Sequence, residues 1–202
     1  MTAREATRER LVAAGVELFQ RQGLAATGIK QVLSRADARF SSLYHHFPGG
    51  KDELAAEVIR RAGHAYQQHV ELAWDPCEDP EAAMRAIFDG AAAALESSDY
   101  ADACPIATVA LEVASTNEPL RLATAEVFRS WLDCARSRLA AAGIRDGDAR
   151  RLAISIVALL EGAFVLCRSA KSTEAMRLAG ESAAGLVGAA LPKKRRTIKA
   201  SL

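Results

Sequence analysis

The stretch Phe40-Ser41-Ser42-Leu43-Tyr44-His45-His46-Phe47-Pro48-Gly49-Gly50-Lys51 decides how the rest of the chain is read. Leu43 and Phe47 stand four residues apart, the spacing of one helix face, and Pro48 with two glycines ends the helix they belong to. With those two turned inward, Ser41, Ser42, Tyr44, His45 and His46 are left facing outward. Hydroxyls and imidazoles are donors that suit phosphate oxygens and base edges. Packing is the plainer role for Phe47, whereas the phenol of Tyr44 can pack with its ring and still reach a phosphate. Toward the N-terminus, Thr27 is expected as the N-cap of a second short helix carrying Ile29, Val32, Leu33 and Ala36 and stopping at Asp37. Ahead of that, Leu11, Val12, Gly15, Val16, Leu18 and Phe19 recur at helical spacing over residues 4–22, and Gly23 supplies a stop. Two short helices across a tight turn predict a helix-turn-helix.

Beyond Lys51 the chain keeps the helical period. A long helix is predicted from Asp52 and Glu53, which suit the positive end of a helix dipole, to Trp74. Further helices are expected over residues 80–96, 105–115, 119–142, 147–169 and 173–191, punctuated by prolines and Asp/Gly clusters. Half of the residues are hydrophobic, alanine and leucine dominate, and no segment alternates with the two-residue period of a strand. The expectation is an all-α chain of about nine helices. It divides into an N-terminal three-helix unit over residues 1–51, a helical body over 52–191 and a basic tail over 192–202 that reads as disordered.

The net charge of +1 hides an asymmetry. Residues 1–51 carry eight Lys/Arg against four Asp/Glu, whereas residues 52–191 carry 13 against 21, and the tail adds five basic residues and no acidic one. A basic head on an acidic body fits a chain whose head alone meets a polyanion. Lys193-Lys194-Arg195-Arg196 can add nonspecific phosphate affinity or simply be solvated.

No charged stub with an apolar segment opens the chain, and no run of about 18 uninterrupted apolar residues occurs, so a cytoplasmic protein without a membrane span is expected. Cys77, Cys104, Cys134 and Cys167 lie far apart with no CxxC pair, which reads as reduced thiols rather than a zinc site. Adjacent His45 and His46 diverge by about 100° on a helix, and His64 and His69 are five apart, both poor ligand spacings. An enzyme would need an assembled site, and there is no GxSxG elbow, HExxH, P-loop or dinucleotide fingerprint. No cofactor and no metal are expected.

Leu43-Tyr44-His45-His46-Phe47 followed by Lys51-x-x-Leu54 resembles the recognition-helix signature of the TetR family of transcriptional repressors. The resemblance extends over residues 8–62, including the Gly23 to Thr27 spacing, Val32 and the Ala36-Asp37-Ala38 turn. The paired glycines before Lys51 and Cys104-Pro105-Ile106-Ala107 are similar to the branch that includes lincomycin-resistance-type repressors. It implies phosphate or base contact for Lys30, Ser42, Tyr44, His45, His46 and Lys51; Thr27, Arg39, Phe40 and Ser41 complete the candidate set. Four positions depart from the family pattern. Asp37 replaces the turn glycine and tolerates a left-handed φ, Arg39 and Phe40 open the recognition helix, and Gly28 replaces a common hydroxyl.

The resemblance also implies a ligand-responsive repressor that binds a double-stranded operator as a homodimer, pairing through small residues of its last two helices, about residues 147–191. A cavity for a small, apolar effector is implied among the helices between residues 52 and 170. Its candidate lining is Tyr66, Trp74, Phe88, Val109, Leu111, Phe128, Trp131 and Phe164, each of which can equally be plain core. Glu112 and Glu161 can orient a ligand or sit at a surface. A DNA-binding dimer that senses no ligand stays open, and a filled interior would favour it.

Overall fold

A computed structural model describes residues 3–77 and 79–192. Among them are nine helices and no strand: α1 (Ala3–Gln22), α2 (Ile29–Arg35), α3 (Phe40–His46), α4 (Gly50–Trp74), α5 (Pro80–Ser97), α6 (Pro105–Val113), α7 (Glu118–Ala141), α8 (Asp146–Ala170) and α9 (Glu174–Ala190). The basic tail lies outside the described residues. Three helices begin by the same device, proline in the first turn behind a side-chain cap. Asp79 accepts from the Ala82 amide at 2.7 Å, Asn117 from Leu120 at 3.2 Å and the Cys104 sulfur from Ala107 at 3.4 Å. Proline fits there because its missing N–H would have no partner within the helix.

The expected cap of α2 is displaced by one residue. Gly28 occupies the N-cap, and the Gln31 side chain reaches back to accept its amide at 2.8 Å. Thr27 is buried, and its hydroxyl donates to the Gly23 carbonyl at 2.6 Å, so it closes the α1–α2 turn instead. Asp37 does take a left-handed φ of +48°, and the Ala38 amide then bonds back to the Leu33 carbonyl at 2.9 Å. That turn sets the angle at which α3 leaves α2.

A continuous core runs through both parts of the chain, from Leu11 on α1 to Val187 on α9. Close helix approach depends on glycines whose missing side chains make room. A Cβ on Gly63 of α4 would collide with Val127 on α7, and one on Gly180 of α9 would come within 2.7 Å of Phe88 on α5. The small residues of the last two helices therefore divide. Ala153, Ala163, Ala179, Gly180, Ala183 and Ala184 are buried within this chain, while Ala158, Gly162, Gly185 and Ala189 face out. Beside these outward positions stand exposed Ile154, Val165, Leu166, Leu178 and Leu186.

Candidate nucleic-acid interface and the cavity behind it

The recognition helix α3 is short and is held by two inward side chains. Leu43 and Phe47 are fully buried, with the Arg8 guanidinium 5.3 Å from the Phe47 ring centroid. The outward residues are in turn free of the core. Phe40 is exposed, Tyr44 is 50% exposed with its ring 5.4 Å from that of Phe40, and Ser41 and His45 are exposed. Ser42 and His46 are half-buried. The His46 imidazole is held below its ordinary value by partial burial first, then by the positive charges of His45, Arg4 and Arg8. Lys30 and Arg39 are exposed, Arg39 standing at the N-cap of α3.

Lys51 is placed differently from a free phosphate anchor. Its ammonium donates to the Leu24 carbonyl at 2.8 Å, tying the start of α4 to the α1–α2 turn. Further ties that sequence reading missed brace the helix-turn-helix. Arg35 grips Glu17 through two hydrogen bonds of 2.7 Å, and Arg10 donates to the Ala36 carbonyl at 2.9 Å. Gly50 takes a left-handed φ of +67°, and its amide bonds to the Phe47 carbonyl at 2.8 Å, which turns the chain from α3 into α4. Glycine adopts that conformation without the steric cost a side chain would bring.

Behind this unit the body holds two neighbouring cavities partly open to the surface, of about 480 and about 70 Å³. Tyr66, Val70, Ile87 and Leu160 line both and form the wall between them. Of the expected lining, Tyr66 and Phe164 reach the larger cavity, and Tyr66, Trp74 and Trp131 the smaller. Trp131 stacks on Tyr66 with centroids 5.9 Å apart and donates its indole N–H to the Gly63 carbonyl at 2.9 Å.

The other expected lining residues lie elsewhere, each for a physical reason. Phe88 is buried under the notch left by Gly180, and Val109 is buried in the core of α6. Phe128 packs edge-on against Trp131, outside both cavities. Leu111 is 82% exposed. Glu112 faces the helix-turn-helix, where one carboxylate oxygen accepts the amides of Leu24 and Ala25, each at 2.9 Å.

The larger cavity is also lined by residues that the sequence did not single out, above all Gln20 of α1 and Asp102 of the α5–α6 connection. That connection is stitched to its neighbours. The Ala103 amide donates to the Gln20 carbonyl at 3.1 Å, Arg21 to Asp102 at 3.3 Å, and Arg168 to the carbonyls of Tyr100 and Ala101. Asp99 and Tyr100 hold left-handed φ values of +48° and +59°. Nearby, burial raises Glu161 to about 7, opposed by a hydrogen bond from Cys104, and one of its carboxyl oxygens is buried with no partner. Burial also holds the Tyr66 phenol protonated well above its usual value, aided by negative charge on Cys104, Glu161 and Asp102 and opposed by a hydrogen bond with Gln20.

Comparison with known proteins agrees with this geometry. Residues 11–58 match the family described as bacterial regulatory proteins, tetR family, and residues 80–182 match the one described as transcriptional regulator LmrA/YxaF-like, C-terminal domain. The chain is 31% identical over 187 residues to the uncharacterised HTH-type transcriptional regulator YxaF of Bacillus subtilis, covering 93% of this chain and 98% of that one. It is 29% identical over 167 residues to the HTH-type transcriptional regulator LmrA of the same organism, covering 83% and 89%. The fold resembles the crystal structure of regulatory protein TetR from Rhodobacter sphaeroides, with a TM-score of 0.78 at 18% identity over 88% of this chain and 97% of that chain. By these matches and by its helix-turn-helix, the chain belongs to the TetR family of DNA-binding transcriptional regulators, which are not enzymes, with an LmrA/YxaF-like C-terminal domain.

Proposed function

We propose that this regulator is a ligand-responsive repressor: a homodimer whose two α3 helices read an operator and whose affinity falls when a small, largely apolar molecule enters the body. The observation that carries the DNA-binding part is the sorting of α3, with Leu43 and Phe47 buried and Phe40, Ser41, Tyr44 and His45 exposed at its surface. A second helix of this motif enters the major groove, and its outer side chains meet base edges while neighbouring groups fix phosphates. Lys30, Arg39, Ser42 and His46 complete the contacting set. Thr27 and Lys51 serve it by holding the α1–α2 turn.

Dimerisation is supported by the exposed apolar strip on α8 and α9, where Gly162 and Gly185 have open space above them. Residues 1–51 form the DNA-binding domain and residues 52–191 the domain that dimerises and takes the effector. The cavity of about 480 Å³ falls within the size range of ligand pockets, about 300–1,000 Å³, and supports ligand sensing over the ligand-free alternative. Control by the effector then operates by population shift: the ligand favours a conformer in which the two recognition helices are misplaced for the operator. α8 is long and apolar enough to cross a membrane by composition; here it packs on α7 and α9, and a cytoplasmic location fits an operator-binding protein.

Titrating the purified protein onto its own upstream DNA tests this reading. Saturable binding that weakens steeply with salt and resists competitor DNA is expected, because neutralised phosphates release counterions. Binding that never exceeds that to random DNA refutes it.

A further inference from the structure

The larger cavity is unevenly built. Most of its wall is apolar, from Val70, Ile87, Leu95 and Phe164, but Gln20, Tyr66 and Asp102 make a polar end, and His69 and Ser97 add exposed polar groups. That end reaches α1 of the DNA-binding unit itself. Among the described residues that line it there is no lysine or arginine, and the nearest guanidinium, Arg21, is turned onto the Asp102 carboxylate at 3.3 Å. Glu161 also lies close enough to act on the Tyr66 phenol. An anion entering this space would leave water for a wall that offers it the Asp102 carboxylate and, at its exposed rim, His69 as the one lining side chain able to carry positive charge, an unfavourable exchange for the part of the ligand buried beside Asp102.

We propose that this cavity selects an uncharged or cationic, largely apolar molecule bearing a hydrogen-bond donor, and rejects anions of the same shape, with the donor seated at the Gln20–Tyr66–Asp102 end. The proposal rests on the reading of the body as an effector-binding domain and adds the chemical class of the effector. Gln20 and Tyr66 each offer an oxygen acceptor and a donor, and Asp102 accepts only, so the polar end holds more acceptors than donors. A ligand hydroxyl or amine meets that excess. The apolar remainder of the ligand fills the space toward Phe164 and Gly90.

Two dyes of one ring system provide the test: N-phenyl-1-naphthylamine, uncharged with an N–H donor, and 8-anilino-1-naphthalenesulfonate, the same scaffold carrying a sulfonate. Fluorescence titration of the full chain with each gives the two affinities. Gly90→Leu serves as a blocking variant, because a side chain at Gly90 meets nothing within 4 Å and the position lines the cavity. The uncharged dye is expected to bind the wild type roughly tenfold or more tightly than the sulfonate, and Gly90→Leu to abolish that binding with a melting temperature no lower than wild type. Asp102→Asn, which frees Arg21 and removes the carboxylate, is expected to narrow the ratio roughly threefold or more. Equal affinities at the site that Gly90→Leu blocks, or an Asp102→Asn ratio unchanged from wild type, overturn the selectivity and leave the effector domain standing. If Gly90→Leu removes no binding of either dye, the effector-cavity reading itself fails and takes this inference with it.

Discussion

Glu112 on α6 and Leu24 in the α1–α2 turn are joined by a hydrogen bond of 2.9 Å from the Leu24 amide to Oε2, and the same oxygen takes the Ala25 amide. Gly23 makes this possible, since a Cβ there would come into collision with the Glu112 carboxylate. Lys51 pulls on the same turn from the other side through the Leu24 carbonyl. The position of α2, and through it α3, is thus set by one residue of the body and one of the head. Replacing Glu112 with leucine leaves the part-buried Leu24 amide without its partner and gives the exposed Ala25 amide back to water, and is expected to cost about 1–2 kcal/mol of stability, since hydrogen bonds to charged groups are the stronger kind. Operator affinity should fall by roughly tenfold, with Glu112→Gln, which keeps an acceptor oxygen, close to wild type. Denaturant titration and DNA binding on the three proteins check this; equal DNA affinity in all of them removes the turn from the argument.

Tyr44 and Phe47 lie three residues apart on α3 and are predicted to fail in different ways. Phe47 is 1% exposed, so Phe47→Ala should cost about 3–5 kcal/mol through the cavity it opens. Tyr44→Ala removes an exposed ring whose nearest aromatic neighbour is Phe40, and should weaken DNA binding while leaving the melting temperature near wild type. Parallel loss of stability in both variants contradicts the division.

The helices could be read from the sequence because their signals are local. Leu43 and Phe47 at i and i+4, Pro80, Pro105 and Pro119 in first turns, and Asp37 at a left-handed turn each act through their own neighbours. The cavity could not be read this way. Phe88 and Val109 are as apolar as Phe164, and only the notch at Gly180 and the packing of α6 decide that they lie in solid core. Gln20 belongs by sequence to α1, and its place in the cavity wall depends on an α5–α6 connection some 80 residues away. Glu112 misled for the same reason: a carboxylate in an apolar helix carries no mark of the backbone amides it will meet.

Glu161 gives the stability of the protein a specific pH dependence. Burial lifts its carboxyl from 4.5 to about 7, against a hydrogen bond from Cys104. In the unfolded chain it ionises near its ordinary value, whereas the folded chain keeps it protonated further up the scale. Its contribution to stability is therefore fully present below about pH 4.5 and is lost as the pH rises through about 7. Glu161→Gln stays neutral throughout. From pH 4.5 to above 7 the variant should gain on wild type by roughly 3 kcal/mol, measured by denaturant titration with both proteins in the same oligomeric state. Parallel pH profiles would show that the carboxyl is solvated after all.

The outward strip of α8 and α9 makes the last prediction. Val165 is 64% exposed and stands near Gly162, whose missing side chain leaves open space, so a large cation there disturbs nothing within one chain. In a dimer paired through these helices, the same cation would be buried against apolar surface with no partner, a strongly unfavourable placement. Val165→Arg should therefore remain folded and sediment as a monomer. Operator affinity should fall by roughly a hundredfold or more, because two linked recognition helices bind with an effective concentration that one lacks. Leu111→Arg, on the exposed surface of α6, supplies the matched control and should stay dimeric with wild-type affinity. A Val165→Arg protein that sediments as wild type would move the interface off these two helices, and a Leu111→Arg monomer would move it onto α6.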